Sequence, residues 1–161
     1  MMREWEVWHE TRARHLSGAW GNPNECAKGK VPRAGRPHWG LIEKASSLVE
    51  GNSVLDIGCG FGHLFSLLRD KEYLGVDTSE HMLKRARGFF SEDKDKFIIG
   101  DAYDLSSLPE FNTVVAIGLI IHLPNPEEVL KQLWSRTTIC TVFSAWIGDS
   151  PLINKMPDGK R

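Results

Sequence analysis

Short apolar runs recur along this chain, separated by segments whose apolar residues keep a helical interval. Residues 54–57, 73–77, 97–101, 112–118 and 137–145 are rich in Val, Ile, Leu and Phe and read as five strands. Between them, residues 63–69, 80–90 and 125–134 read as helices. Ser79 or Thr78 is placed to cap the second of these, and Asn125-Pro126 with Glu127 and Glu128 opens the third. Ahead of the first strand, residues 38–50 carry Trp39, Ile42, Ala45 and Val49 on one helical face and stop at Gly51-Asn52. Strands that are apolar throughout, alternating with helices, predict a doubly wound, mostly parallel α/β sheet of Rossmann-like type with helices on both faces.

The special residues fall where such a sheet binds its ligands, outside the strand carboxyl ends. The first strand runs into Gly58-Cys59-Gly60-Phe61-Gly62, the second ends on Asp77, the third on Asp101 and the fourth on Gly118. A glycine turn lets backbone approach a ligand closely and aims amide N–H groups at it. Four such residues at four successive strand ends carry far more weight than one glycine turn.

The flanks read differently. Residues 2–16 alternate charge with Trp5, Val7, Trp8 and Leu16 and suggest an amphipathic helix. Residues 17–37, broken by Gly18, Gly21, Pro23, Gly29, Pro32, Gly35 and Pro37, read as a long irregular loop of lid type. The expected division is therefore 1–37, an N-terminal helix and lid-like loop, and 38–161, the ligand-binding domain. Trp5, Trp8, Trp20 and Trp39 place four of the six tryptophans in this early part, as staples onto the sheet or as an aromatic lid. Lys28, Lys30, Arg33 and Arg36 read as solvated loop charges or as an anion-binding cluster. At the other end, Pro151, Pro157 and Asp158-Gly159 argue against a regular element, which would leave the fifth strand with an open edge.

Composition narrows the function. The 161 residues, 41% apolar and 25% charged, fit one globular domain, and 20 basic against 21 acidic residues supply no global field for nucleic acid or an anionic membrane. Cys26, Cys59 and Cys140 are too widely spaced for a metal site or a disulfide framework, which points to a reducing, cytoplasmic location. No apolar run is long enough for a membrane span.

Val54-Leu55-Asp56-Ile57-Gly58-Cys59-Gly60-Phe61-Gly62, Gly75-Val76-Asp77-Thr78-Ser79, Gly100-Asp101-Ala102 and Ile117-Gly118-Leu119-Ile120-Ile121-His122-Leu123-Pro124, in that order and spacing, resemble the class I S-adenosylmethionine-dependent methyltransferases. The likeness is to the small-molecule type that includes the quinone-biosynthesis methylases. It implies S-adenosylmethionine as cofactor and S-adenosylhomocysteine as product. It further implies a cofactor-binding set of Asp56, Gly58, Cys59, Gly60 and Gly62 at the methionine end, Asp77 with Thr78 and Met82 at the ribose side, Asp101 and Ala102 beside the adenine, and Gly118 and Leu119 toward the reacting methyl group.

Elementary chemistry agrees with that cofactor. Its ammonium and sulfonium are attracted by a carboxylate such as Asp56, by very roughly 4 kcal/mol at 4 Å before desolvation. A pyrophosphate would be repelled there, and Gly58-x-Gly60-x-Gly62 lacks the dinucleotide spacing. Methyl transfer needs mainly a near-attack geometry, with a base only where the acceptor must lose a proton. His122 is the candidate catalytic base and reads equally as a packing or lid residue. The segment after the fourth strand has neither the N-P-P-aromatic nor the Pro-Cys that serve flipped bases, so a small-molecule acceptor is expected over nucleic acid. The alternative is a non-catalytic cofactor-binding or partner-activating subunit. The short stretch after the fifth strand leaves three explanations open: a truncated chain, a homodimer or partner chain covering the edge, or a minimal enzyme.

Overall fold

The computed structural model describes residues 21–30, 39–147 and 150–157. The predicted helix over 2–16 and the cations Arg33 and Arg36 lie outside them, as do Trp5, Trp8 and Trp20. Six strands, β1 (Ser53–Ile57), β2 (Glu72–Asp77), β3 (Phe97–Ile99), β4 (Phe111–Ala116), β5 (Thr137–Ile147) and β6 (Ser150–Pro157), form one sheet in the order β3-β2-β1-β4-β5-β6. The first five are mutually parallel, as expected for a doubly wound α/β fold. Among the described residues four helices accompany them: α1 (Pro23–Ala27), α2 (Trp39–Ser47), α3 (Glu80–Phe89) and α4 (Pro126–Ser135).

The two-residue period of the strands sorts the core into two layers. Val54, Tyr73, Val115, Cys140 and Val142 face Ala45 of α2, Leu83 and Ala86 of α3, and the aromatic group Phe65, Phe90 and Phe97. Leu55, Ile57, Val76, Val114, Ala116 and Phe143 face Val129 and Leu133 of α4, with Leu105 and Leu123. A sheet buried on both faces accounts for strands that read as continuous apolar runs.

Three expectations are corrected. Residues 63–69 form turns and a 3-10 segment, Phe65–Leu67, instead of an α-helix. Leu67 and Leu68 donate to carbonyls three residues back, at 3.0 Å each. Buried Phe61, Leu64, Phe65 and Leu68 satisfy the three-residue interval as well as the α interval. Seven residues are also too few to sustain an α-helix alone. The loop over 17–37 contains α1, opened by Pro23 and capped by Asn22, whose side chain accepts from Asn24 N at 2.9 Å. Asn24 Nδ2 donates to Phe89 O at 3.1 Å and Arg69 donates to Asn24 Oδ1 at 2.7 Å, which docks α1 on the domain. Finally, the edge of β5 is not open. β6 pairs antiparallel with it, from Ile147 opposite Ser150 to Cys140 opposite Pro157. Pro151 and Pro157 are tolerated because an edge strand leaves half its N–H groups without a ladder partner. The partner chain expected over that edge therefore loses its basis.

Candidate S-adenosylmethionine site

The site is built on the carboxyl ends of four adjacent strands, β3, β2, β1 and β4. β1 leads into the glycine turn, which is stitched to β2 because Gly58 N and Cys59 N both donate to Val76 O, at 2.8 and 3.1 Å. Gly60 sits at φ +53° with no heavy atom within 4 Å of where a Cβ would stand. Gly118, past the end of β4, is at φ +71° with the same clear space, and its N–H is anchored on Ser144 Oγ at 2.7 Å. Two left-handed glycines with open space beside them are what a closely approached backbone requires.

Asp77 joins the turn to the helix that follows. Its Oδ2 accepts from Gly60 N and its Oδ1 from Ser79 N, both at 2.9 Å. Ser79 then caps α3 by accepting from Met82 N at 3.2 Å. Thr78 and Met82 lie half-buried beside this junction. At the end of β3, Gly100 N donates to Asp77 O at 3.0 Å, Asp101 Oδ1 accepts from Tyr103 N at 3.0 Å, and Ala102 is buried. The Tyr103 hydroxyl accepts from Asn125 N at 3.2 Å, tying the loop after β3 to the loop after β4. In that second loop Leu119 precedes a 3-10 turn, Ile120–His122, and His122 is half-buried at its end.

Asp56 and Cys59 lie deeper. Asp56 is 4% exposed and accepts from the Tyr73 hydroxyl at 2.5 Å. Burial pushes its carboxyl from 3.8 up to about 7; the Tyr73 hydrogen bond opposes the rise and Asp77 adds to it. The Cys59 thiol is raised well above its usual range by burial first, then by Asp77 and Asp56, which leaves it a neutral filler and no nucleophile. Asp56, Gly58, Cys59, Gly60, Gly62 and Asp77 thus converge on one turn, Asp101 with Ala102 stands on one side of it, and Gly118 with Leu119 on the other.

Outside this row, Lys28 and Lys30 both approach Glu25, at 3.7 and 3.5 Å, and Trp39 is buried with its ring 6.2 Å from that of His63. Tyr73 was not singled out by sequence reasoning. Its signal was available: a hydroxyl in an otherwise apolar buried strand needs a polar partner, and Asp56 is the polar residue on the strand beside it. Tyr103 and Ser144 carried no such signal.

Carboxylates and backbone N–H groups around bare glycines suit a nucleoside ligand that bears hydroxyls and positive charge. They do not suit a phosphate chain.

The family model described as "Methyltransferase domain" matches residues 55–139. A sterol 24-C-methyltransferase of Pneumocystis carinii is 31% identical over 107 residues, 60% of this chain and 28% of its own length. A tRNA U34 carboxymethyltransferase of Helicobacter pylori is 31% identical over 126 residues, 71% of this chain and 48% of its own length. The chain therefore spans between about a quarter and a half of the curated relatives it matches. Among solved structures, the magnesium protoporphyrin IX methyltransferase of Synechocystis PCC 6803, with bound S-adenosylmethionine, superposes with a TM-score of 0.61 at 22% identity over 69% of this chain and 60% of that one. Matched over more than half its length, with the sheet order and strand-end glycines just described, the chain belongs to the methyltransferase domain family.

Proposed function

We propose that this domain binds S-adenosylmethionine across the ends of β3, β2, β1 and β4 and transfers its methyl group to a small-molecule acceptor. The observation that carries the reading is the Asp77 carboxylate, held by Gly60 N and Ser79 N at the junction of the glycine turn and α3. So oriented, it is suited to accept from both ribose hydroxyls. Thr78 and Met82 stand with Asp77 at the ribose side, and Asp101 and the Ala102 backbone flank the adenine. Gly58, Cys59, Gly60 and Gly62 wrap the methionine end, where Asp56 supplies negative charge. Gly118 and Leu119 face the reacting methyl group.

The cofactor brings a sulfonium, a good leaving group, so the chain's own task is positioning. The fixed turn and the anchored Gly118 hold the two sides of the site, and the apolar loop of Leu119, Ile120 and Ile121 keeps water from the reacting centre. His122 accepts a proton where the acceptor must lose one. In this reading the chain divides into an N-terminal part, 1–37, and the cofactor-binding domain, 38–161. Three buried cysteines, too widely spaced for a disulfide framework, support a reducing, cytoplasmic location.

The formal charge of -1 and the apolar loop after β4 support a small acceptor, whereas some relatives are named for tRNA. Calorimetry with S-adenosylmethionine and S-adenosylhomocysteine tests the cofactor, and saturable binding of both is expected. Radiolabelled methyl transfer, offered in parallel to bulk tRNA and to a panel of small quinols, phenols, amines and thiols, tests the acceptor. Label in tRNA alone overturns the small-molecule assignment, and binding without transfer to anything favours the non-catalytic alternative.

A further inference from the structure

Beneath the glycine turn lies a buried acid whose partner has no role in the mechanism above. β1 and β2 run side by side with Val54 opposite Tyr73 and Asp56 opposite Gly75. By the two-residue period, Asp56, Tyr73 and Asp77 therefore project from one face of the sheet. Gly75 leaves the space directly beside Asp56 open on that face, and Cys59 Sγ takes it: a Cβ on Gly75 would stand 2.9 Å from that sulfur. Tyr73 is 4% exposed and wedged between aromatic rings, 4.9 Å from Phe65 and 6.0 Å from Phe97 between centroids. Its hydroxyl has one place to go, and donates to Asp56 Oδ2.

The titratable and charged groups acting on this pair are Asp77 from β2 and Cys59 from the turn, and Arg87 of α3 acts on Cys59. None neutralises Asp56. Asp77 is an acid, Cys59 and Tyr73 are held protonated by burial, and the Arg87 guanidinium is committed to Phe97 O and Glu80. Tyr73 thus remains a donor throughout, and its hydrogen bond is the influence that favours the ionised form of Asp56.

We propose that Tyr73 is a positioning residue for cofactor binding: it holds Asp56 beneath the turn so that the carboxyl gives up its proton to solvent as the cationic methionine end of the cofactor docks. This rests on the reading that the turn takes S-adenosylmethionine. The exchange balances: one neutral carboxyl becomes a carboxylate, one proton leaves to the buffer, and one positive charge arrives. Below the titration of Asp56 the cofactor competes with the proton and binds weakly; above it, the site is already ionised and affinity levels off.

The experiment is calorimetry of S-adenosylmethionine binding from about pH 6 to pH 9, in pairs of buffers with different ionisation heats, so that protons released are counted directly. For the wild type, affinity should rise up to about tenfold per pH unit on the acid side of neutrality and then level off. Proton release should approach one on the acid side and vanish on the alkaline side. Tyr73→Phe removes only the hydroxyl, and its midpoint should move to higher pH, weakening binding several-fold near neutrality while leaving the alkaline plateau. Asp56→Asn should bind without pH dependence. A purely structural Tyr73 would lower the melting temperature and leave the midpoint unmoved, and that outcome overturns the proposal. Wild-type binding with a flat profile and no proton release overturns it alone, whether or not any variant folds. No binding at any pH overturns the cofactor reading itself.

Discussion

Asp56→Asn should gain stability relative to the wild type as pH rises. The Asp56 carboxyl is raised from 3.8 to about 7, mainly because burial disfavours its charged form. An acid whose folded value lies above its unfolded value keeps a proton in the native state that the unfolded chain has released. The stability it contributes is complete below 3.8 and is lost as pH climbs through about 7. About three decades of proton affinity, at 1.36 kcal/mol each, make the loss ~4 kcal/mol by about pH 8. That is a large share of the 5–15 kcal/mol typical of a whole domain. Asparagine keeps an oxygen for the Tyr73 hydroxyl and does not titrate, so it escapes the loss. Urea unfolding of both proteins at pH steps from about 4 to 8 gives the difference, in which the carboxylates common to both cancel. The difference should tilt in favour of the asparagine variant by ~4 kcal/mol across that range. A flat difference refutes the burial argument. A tilt of opposite sign would mean that a cation partners Asp56 in the folded protein.

Asp77→Ala removes the acceptor for Gly60 N and Ser79 N and, in the proposed site, for two ribose hydroxyls. At about 1.5–3 kcal/mol for each hydrogen bond to a charged group, cofactor affinity should fall by at least 100-fold. Calorimetry on a variant whose circular dichroism is native checks this. Gly75→Ala would place a Cβ 2.9 Å from Cys59 Sγ and 3.1 Å from Phe97, and should destabilise by about 1–3 kcal/mol in urea. Part of that should return when Cys59→Ala is added, because the sulfur is the nearest atom. His122→Gln should leave cofactor affinity unchanged and, if the acceptor loses a proton in the reaction, lower kcat by about 100-fold or more. An unchanged kcat would reduce His122 to a packing role.

The strands were legible because burial on both faces makes each one a run of apolar residues, and a run that ends on Gly58, Asp77, Asp101 or Gly118 announces where the chain turns. Their number was not. β6 carries Pro151 and Pro157, which count against a strand in any local reading, and only its pairing along the edge of β5 makes them acceptable. The segment after the turn failed for a different reason. Phe61, Leu64, Phe65 and Leu68 fit both windings, and the choice between them was made by chain length and by aromatic packing that periodicity does not register. Within the site, the residues were readable one at a time, whereas their contacts were not. That Asp77 binds the amide of Gly60, seventeen residues before it, is a fact of the register between β1 and β2.

The same register explains why Asp56 sits where hydrophobic packing alone would put a leucine. Val54 and Val115 share its face of the sheet and Phe65 and Phe97 cover that face, so an apolar side chain there would complete the core without a titration to bear. A carboxyl in its place lowers stability at neutral pH, and the Tyr73 hydrogen bond offsets only part of that. The fold does not need this acid. What it places directly under the glycine turn is a group whose ionisation becomes favourable when positive charge arrives above it, which is the property a site for a sulfonium and an ammonium would use. Structural cost and binding role are then one quantity measured two ways: the pH range over which Asp56→Asn gains stability should coincide with the range over which wild-type cofactor affinity rises. Two ranges that do not overlap would separate the buried acid from the binding event.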